Sequence, residues 1–354
     1  MLFFLLFMAI AHQQHHVGKK LEESLMKAFV TGGSGFVGRC MITMLRNRGD
    51  EVVALARSEQ TAKQVTQLGA RAVLGDLLNQ QAMTQGMQDC DVIFHIAGYL
   101  SSWGKYADFY KTNVVGTECV LAAAQAANVP CFVQIGASAA VFNSQPLSQI
   151  DESYPLQQPQ FSPYIATKSI AEQKVIAANR PGFRTSVVRP SWIWGNGDHA
   201  LPQLVKAVKT RQFVWIDQGN YPYMTTHVAN VCHGAILAAE RSPGGQSYFL
   251  SDGDVVQFRT WLTTLLQIAG VKPTNLSIPR WLAWNIALLV ETIWTITQRQ
   301  DVPPITRTMI RLIGQELTFN DSKARLELDY VPIVSRDLGL AELANFINNP
   351  SGKM

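Results

Sequence analysis

The sequence predicts an α/β fold, a doubly wound parallel sheet followed by a smaller, mainly helical domain. Two observations predict it. From residue 27 onward short apolar runs alternate with helix-like stretches, and a run of glycines stands where the first strand would hand over to the first helix. Apolar runs separated by helices belong to a parallel sheet covered on both faces. Right-handed crossovers wind such a sheet twice.

In chain order the predicted strands are Lys27–Thr31, Glu51–Ala56, Arg71–Leu74, Val92–His95, Cys131–Ile135 and 184–189. Predicted helices lie near 37–48, 59–68, 80–86, 108–128 and 163–179. The first strand runs into Thr31-Gly32-Gly33-Ser34-Gly35-Phe36-Val37-Gly38. There Gly32 allows a tight turn, Gly35 lets the backbone approach a pyrophosphate, and Gly38 lets the helix pack closely on the strand. Phosphates then meet free N–H groups at the positive end of that helix. An ordinary Gly-rich turn is the alternative, but the strand before and the apolar helix after favour a Rossmann dinucleotide cradle built from Gly32, Gly33, Ser34, Gly35, Phe36, Val37 and Gly38.

The second strand ends at Ala56-Arg57-Ser58. A carboxylate at this place holds the ribose 2′-hydroxyl of NAD, whereas an arginine suits a 2′-phosphate. Ala56 removes the carboxylate, Arg57 supplies a guanidinium and Ser58 adds a hydrogen bond. NADP(H) is therefore the expected cofactor, with NAD(H) as the alternative.

After about residue 190 helices dominate, prolines punctuate (Pro202, Pro222, Pro243, Pro273, Pro279, Pro303, Pro304) and aromatic residues accumulate. The expected organisation is an extension over 1–25, an NADP-binding domain over 26–190, and a substrate domain over 191–345. Part of 225–250 is expected to return to the first domain.

At 354 residues, 47% hydrophobic and 16% charged, the chain can bury an ample core, and its net charge of +4 is too slight and scattered for a nucleic-acid partner. Cys40, Cys90, Cys119, Cys131 and Cys232 are odd in number and not spaced as metal pairs. They read as core thiols in a reducing, cytoplasmic compartment, and no metal site is expected. Residues 1–11 form an apolar run too short to span a bilayer and without the basic leader of a signal peptide. A start upstream of the natural one at Met26, a membrane-surface anchor and a secretory leader are the readings, in that order.

Tyr164-Ile165-Ala166-Thr167-Lys168 sets a tyrosine and a lysine four apart, on one helix face, just after Pro163, which suits a first turn. A phenol is a poor base at neutral pH, with a reference pKa near 10. An ammonium beside it and the helix terminus are expected to lower that value, by ~3 units for about 4 kcal/mol of differential stabilisation. Upstream, Ser138 follows the fifth strand, where a hydroxyl faces the crevice in which such sheets bind ligands. A surface pair and a turn serine are the plain alternatives.

These phrases together resemble the extended short-chain dehydrogenases/reductases, the NAD-dependent epimerase/dehydratase superfamily, from about residue 27 to 330. Their order carries the resemblance: the glycine stretch, Gly75-Asp76-Leu77, Val92-Ile93-Phe94-His95-Ile96-Ala97-Gly98, Asn113-Val114-Val115-Gly116-Thr117, Ser138, Tyr164 with Lys168, and Arg189-Pro190 leading to Gly195-Asn196-Gly197-Asp198. The resemblance implies that Tyr164 is the general acid/base and that Lys168 holds the nicotinamide ribose and depresses the tyrosine pKa. It implies further that Ser138 orients the reacting oxygen and that Asn113 places a water in a proton relay. Asp76, Leu77, Ala97, Gly98 and Pro190 would line the cofactor.

Departures from the pattern narrow the branch. Sugar-nucleotide dehydratases carry Asp-Glu after the catalytic hydroxyl, where this chain has Ala139-Ala140. Epimerases usually carry Arg-Asp before a His-Val-x-Asp phrase; here Tyr223-Met224 precede His227-Val228-Ala229-Asn230. A diphosphate without that guanidinium loses charge-assisted hydrogen bonds. The chain looks most like the 3β-hydroxysteroid dehydrogenase branch, and within it like bacterial 2-alkyl-3-oxoalkanoate reductases. Trp192, Trp194, Trp215, Tyr221, Tyr223, Trp281, Trp284 and Trp294, with few charges near them, are expected to favour a large apolar substrate.

The expected function is reversible, NADP(H)-dependent reduction of a ketone on such a substrate, steroid-like or long-chain. A sugar-nucleotide epimerase and a non-catalytic NADP-sensing protein are the alternatives; intact Ser138, Tyr164 and Lys168 speak against a sensor. A homodimer is the expected assembly. The apolar stretch 281–297 is short for a membrane span and carries Glu291. A buried helix is the favoured reading, and a membrane-surface helix flanked by Arg280 and Arg299, giving peripheral membrane contact, is the alternative.

Overall fold

The computed structural model describes residues 25–143 and 145–348, so the apolar run at 1–11 lies outside the described residues. The main sheet is assembled from β1 (Lys27–Thr31), β2 (Glu51–Ala56), β3 (Arg71–Leu74), β4 (Val92–His95) and β5 (Cys131–Ile135). Next comes β6 (Leu147–Ile150), which belongs elsewhere; β7 (Arg184–Pro190) returns to the main sheet. Nearly every residue of β1, β4, β5 and β7 is buried, as strands covered by helices on both faces must be.

The short strands β8 (Trp192–Trp194), β9 (Trp215–Ile216), β10 (Pro222–Tyr223) and β11 (Thr225–His227) lead to β12 (Gln246–Leu250), the seventh strand of the main sheet. Last come β13 (Val256–Gln257), β14 (Ser277–Ile278) and β15 (Leu317–Phe319). All main-sheet neighbours pair in parallel, in the order β12-β7-β5-β4-β1-β2-β3. The strand order reverses between β1 and β4, which pair from Ala28↔Val92 to Thr31↔His95. Ligands enter such sheets at the carboxyl ends of the strands flanking that switch. A four-stranded sheet, β13-β10-β15-β6, and two strand pairs, β11-β8 and β14-β9, build the rest.

The helices are α1 (Phe36–Arg48), α2 (Glu59–Gln67), α3 (Gln80–Gly86), α4 (Tyr106–Phe109), α5 (Gly116–Ala126), α6 (Pro163–Ala177), α7 (Ala200–Lys209), α8 (Val228–Arg241), α9 (Phe258–Ile268), α10 (Arg280–Ile296), α11 (Arg307–Ile313), α12 (Ser322–Leu328) and α13 (Arg336–Asn348). The single helix predicted over 108–128 is instead three pieces, with a π-helical turn, Tyr110–Val115, joining α4 to α5. Inside it the Thr117 hydroxyl donates to the Asn113 carbonyl at 2.6 Å, back-bonding that distorts a helix.

The second half differs from its expectation too. It is not simply helical, because seven of its strands among the described residues have only two or three residues, too few to show a period. Its core sets Trp194 edge-on to Trp261 (4.7 Å between ring centres) and stacks Tyr221 on Phe258 (5.2 Å) and Phe249 on Phe319 (4.6 Å). The favoured burial of 281–297 is corrected as well. Only Ala283, Ala287 and Glu291 of α10 are buried, while Trp281, Ile286, Leu288, Leu289, Ile293 and Ile296 are exposed. Glu291 is held by the Arg307 guanidinium at 2.6 Å, so the one acidic residue of this helix faces the protein.

Asp252, just past β12, ties β8, β11 and α8 together. Its buried carboxylate accepts from Trp194 Nε1 (2.7 Å), Thr225 Oγ1 (2.8 Å), the His227 amide (2.6 Å) and Asn230 Nδ2 (2.8 Å). Asp252→Ala strands four buried donors at once. It is expected to cost about 3–5 kcal/mol, read as a lowered urea midpoint with an unchanged slope.

Candidate active site

The glycine stretch folds as its spacing requires. Gly32 has φ +71°, and a Cβ there would sit 2.8 Å from the Ala97 nitrogen. A Cβ on Gly38 would collide with the Gly32 carbonyl oxygen at 2.0 Å, so only glycine lets α1 pack this closely on β1. Gly33 turns inward to the core, whereas Gly35 is exposed at the N-cap of α1. No side chain caps that helix and its first turn holds no acid, which leaves the amides around Phe36, Val37 and Gly38 for an anion, with Ser34 beside them. This cradle fits a dinucleotide pyrophosphate.

Around it, the other expected cofactor residues divide by their occupation. Arg57 is exposed at the end of β2 and makes no hydrogen bond or ion pair among the described residues. Ser58 is already engaged: its hydroxyl caps α2 by accepting from the Thr61 amide at 3.3 Å. Asp76 is exposed and closes its own turn through the Leu78 amide, while Leu77 packs on Gly116. Ala97 and Gly98 follow β4 at the switch point; the Ala97 amide donates to Thr31 Oγ1 at 3.2 Å. Pro190 ends β7.

Ser138 opens a short 3₁₀ turn, Ser138–Val141, three residues past the end of β5, and its hydroxyl has no protein partner among the described residues. Ser162 caps α6 through the Ile165 amide, with Pro163 at the first position, so Tyr164 lies in the first turn as predicted. Its phenol also has no protein partner among the described residues. One turn on, the Lys168 ammonium donates to the Ile135 carbonyl at 3.0 Å. That bond brings the lysine to the strand end from which Ser138 departs.

Electrostatics at this pair run against the sequence expectation. Burial pushes the Tyr164 phenol up to about 12, and Lys168 does not offset it. The ammonium is aimed at a backbone carbonyl, not at the phenol, so desolvation decides. Burial also pushes Lys168 down to about 8, against the pull of Glu172. The tyrosine is thus held as a protonated acid.

Asn113 is fully committed. Its side chain accepts from the Tyr99 amide (2.7 Å) and donates to the Tyr99 carbonyl (3.2 Å) and to Thr167 Oγ1 (3.0 Å). It therefore clamps the π-helical turn onto α6 between Tyr164 and Lys168. His95, unforeseen in the sequence, extends this network. Thr117 gives its hydrogen to the Asn113 carbonyl and so accepts from His95 Nε2 at 3.0 Å. His95 Nδ1 then accepts from Thr31 Oγ1 at 2.8 Å. The ring is neutral, pushed down to about 3 by burial and by the Lys168 charge.

Glu172 and Arg189 were also missed. Arg189 Nη2 and Nε both meet Glu172 Oε1, at 2.6 and 2.8 Å, and both residues are buried. Glu172 follows Lys168 by four, so Tyr164, Lys168 and Glu172 share one face of α6, and that spacing was the available signal.

The aromatic wall is smaller than expected and more cationic. Trp194, Trp215, Tyr221 and Tyr223 are core residues, and the Tyr223 hydroxyl is spent on the Leu312 carbonyl. Trp192 and Trp284 are half-buried; Trp192 packs in the same cluster as Tyr164, and Trp284 meets Phe161 at 5.1 Å. Arg307 and Arg311 lie over Trp284, at 5.8 and 4.8 Å, and Arg299 lies over Trp294 at 4.2 Å, contrary to the expected scarcity of charge. Among the described residues no helix is long and apolar enough to cross a membrane.

The sequence profile of the 3-beta hydroxysteroid dehydrogenase/isomerase family matches residues 29–280. A 4-hydroxy-2-methyl-3-oxo-4-farnesyl-3,4-dihydroquinoline-1-oxide ketoreductase of Stigmatella aurantiaca is 47% identical over 90% of this chain and 96% of its own length. A 2-alkyl-3-oxoalkanoate reductase of Stenotrophomonas maltophilia is 31% identical over 90% and 98%. Among solved structures, a dTDP-glucose 4,6-dehydratase of Streptomyces venezuelae shares the fold, with TM-score 0.73 and 22% identity over 92% of this chain and 98% of that one.

Proposed function

Since the chain belongs to the 3-beta hydroxysteroid dehydrogenase/isomerase family and is an oxidoreductase of hydroxyl and keto groups, we propose that it reduces a ketone on a large apolar substrate at the expense of NADPH. The observation that carries this reading is that the hydroxyls of Ser138, just past β5, and of Tyr164, one turn before Lys168 on α6, have no protein partner among the described residues, while the Lys168 ammonium is bonded to the end of β5.

The cofactor, when bound, supplies the hydride. The chain's own residues do the rest. The Gly32–Gly35–Gly38 turn and the start of α1 hold the pyrophosphate, and Arg57 meets the 2′-phosphate. Ser138 donates a hydrogen bond to the substrate carbonyl oxygen, which fixes its direction and polarises it. Tyr164, held protonated by its buried surroundings, gives its proton to that oxygen as negative charge develops there. Lys168 supplies a fixed positive charge that steadies the phenolate left behind. Asn113 and Thr167 set the distance between α6 and the π-helical turn, so the tyrosine meets the carbonyl in one pose.

Half-buried Trp192 and Trp284 and the exposed apolar face of α10 favour an apolar substrate, gathered at a membrane surface. The names of the two ketoreductase relatives point the same way. Each substrate methylene buried on such walls contributes about 0.8 kcal/mol. Efficiency with NADPH is therefore expected to climb severalfold per added methylene over a ketone series, from short to long-chain or steroid ketones. Flat efficiency across that series, or turnover of UDP-sugars in its place, contradicts the reading.

A further inference from the structure

Burial penalises the charge of Lys168, and the neutral ring of His95 on β4 offers it no counter-charge. The lysine's hydrogen bond to the Ile135 carbonyl is to a neutral acceptor. A buried ammonium without an anion nearby tends to lose its proton. The anion on the same helix face is Glu172, one turn beyond Lys168 and itself 1% exposed.

The geometry of Glu172 is asymmetric. Both Arg189 contacts fall on Oε1. Oε2 is buried and accepts no hydrogen bond among the described residues, although a carboxylate oxygen has room for two. It is turned toward the end of β5: a Cβ added to Gly136, the residue after Ile135, would lie 3.8 Å from Oε2. That is the strand end to which Lys168 is bonded. Glu172 thus keeps one oxygen free of hydrogen bonds among the described residues, and that oxygen faces the strand end to which Lys168 is bonded.

We propose that Glu172 is a positioning residue for Lys168, anchored by Arg189 through one oxygen while its other oxygen keeps the lysine charged at the end of β5. The proposal rests on the Tyr164/Lys168 reading above and deepens it. The charged and titratable groups around the pair are Tyr164 on α6, His95 on β4 and Arg189 on β7. Beyond Arg189 a cleft of about 960 Å³ carries Glu152, Lys323 and Glu327. Of these, Glu172 is the one that favours the charged lysine.

The test is the alkaline limb of the kcat/KM–pH profile for ketone reduction. In the wild type it is expected to fall where Lys168 loses its proton, which burial pushes down to about 8 against the pull of Glu172. Glu172→Gln is expected to move the limb to lower pH by about one unit, whereas Glu172→Asp, which keeps the charge, restores most of it. Because Glu172→Gln leaves Arg189 buried without a counter-ion, the double variant Glu172→Gln/Arg189→Met is measured beside it. If Glu172 serves only to neutralise Arg189, the double variant returns the limb to its wild-type position, and the proposal is overturned. If Glu172 serves Lys168, the limb stays shifted in the double variant while its urea midpoint recovers. An unmoved limb in Glu172→Gln overturns the proposal equally. Tyr164→Phe assayed in parallel separates the two levels: retained turnover there defeats the catalytic reading, and its loss with an unmoved Glu172→Gln limb defeats this inference alone.

Discussion

Tyr164→Phe is expected to leave cofactor binding nearly intact and to cut turnover by at least ~100-fold, the scale of a lost general acid. The ring stays and packs as before, because Tyr164 lies against the same buried cluster as Trp192. What disappears is the hydroxyl, which has no structural bond to lose among the described residues. Its burial pushes the phenol up to about 12, so the proton is present throughout the working range and absent only in the variant. A fluorescence titration with NADPH should therefore give an unchanged affinity, while kcat collapses. Turnover within a few-fold of the wild type contradicts the assignment of the acid.

Arg57→Ala is expected to lower efficiency with NADPH by roughly 10- to 100-fold, about the worth of a charge-assisted hydrogen bond, and to leave NADH little changed. Arg57 stands exposed at the carboxyl end of β2, where no carboxylate competes for the ribose and no acidic partner occupies the guanidinium. Ser58 contributes less than its neighbour, because its hydroxyl is already the N-cap of α2. Steady-state constants for the two cofactors, measured on both proteins, give the ratio directly. An unchanged NADPH/NADH ratio in the variant removes Arg57 from the 2′-phosphate site.

Much of the fold was legible because it depends on local pattern. Strands β1, β2, β4 and β5 are largely buried apolar runs bounded by turns, β3 is a half-exposed edge strand, and the sequence marks each of the five at the ends the structure has. Gly32, Gly35 and Gly38 were legible for a stronger reason: backbone conformation and close approach leave glycine as the residue that fits at 32 and 38. The π-helical turn at Tyr110–Val115 was not, since its side-chain pattern is that of a helix and the distortion comes from Thr117 bonding back to Asn113. Strands of two residues such as β9 and β14 carry no period at all.

For the candidate site, the placement of Tyr164 and Lys168 one turn apart on α6 was legible and the energetics less so. Lys168 is bonded to the end of β5, from which Ser138 departs, but the expected lowering of the phenol came from counting charges near in sequence. The structure sets burial against that single charge, and burial wins. Glu172 was hidden because a glutamate at helical spacing reads as a solvated face, and only β7 crossing behind α6 reveals its partner. Asp252 is a tertiary feature: the groups it binds come from β8, β11 and α8, none of them adjacent to it in the chain.

The most direct test of the central claim follows the hydride itself. The wild-type protein is incubated with NADPH carrying deuterium at the transferable position and with a long-chain ketone, and the alcohol is examined by mass spectrometry and NMR. Transfer by this site places one deuterium on the carbinol carbon, in one stereochemical sense, while the hydroxyl proton comes from solvent by way of Tyr164. An alcohol without deuterium at that carbon, or consumption of labelled NADPH only when a sugar nucleotide replaces the ketone, contradicts the account.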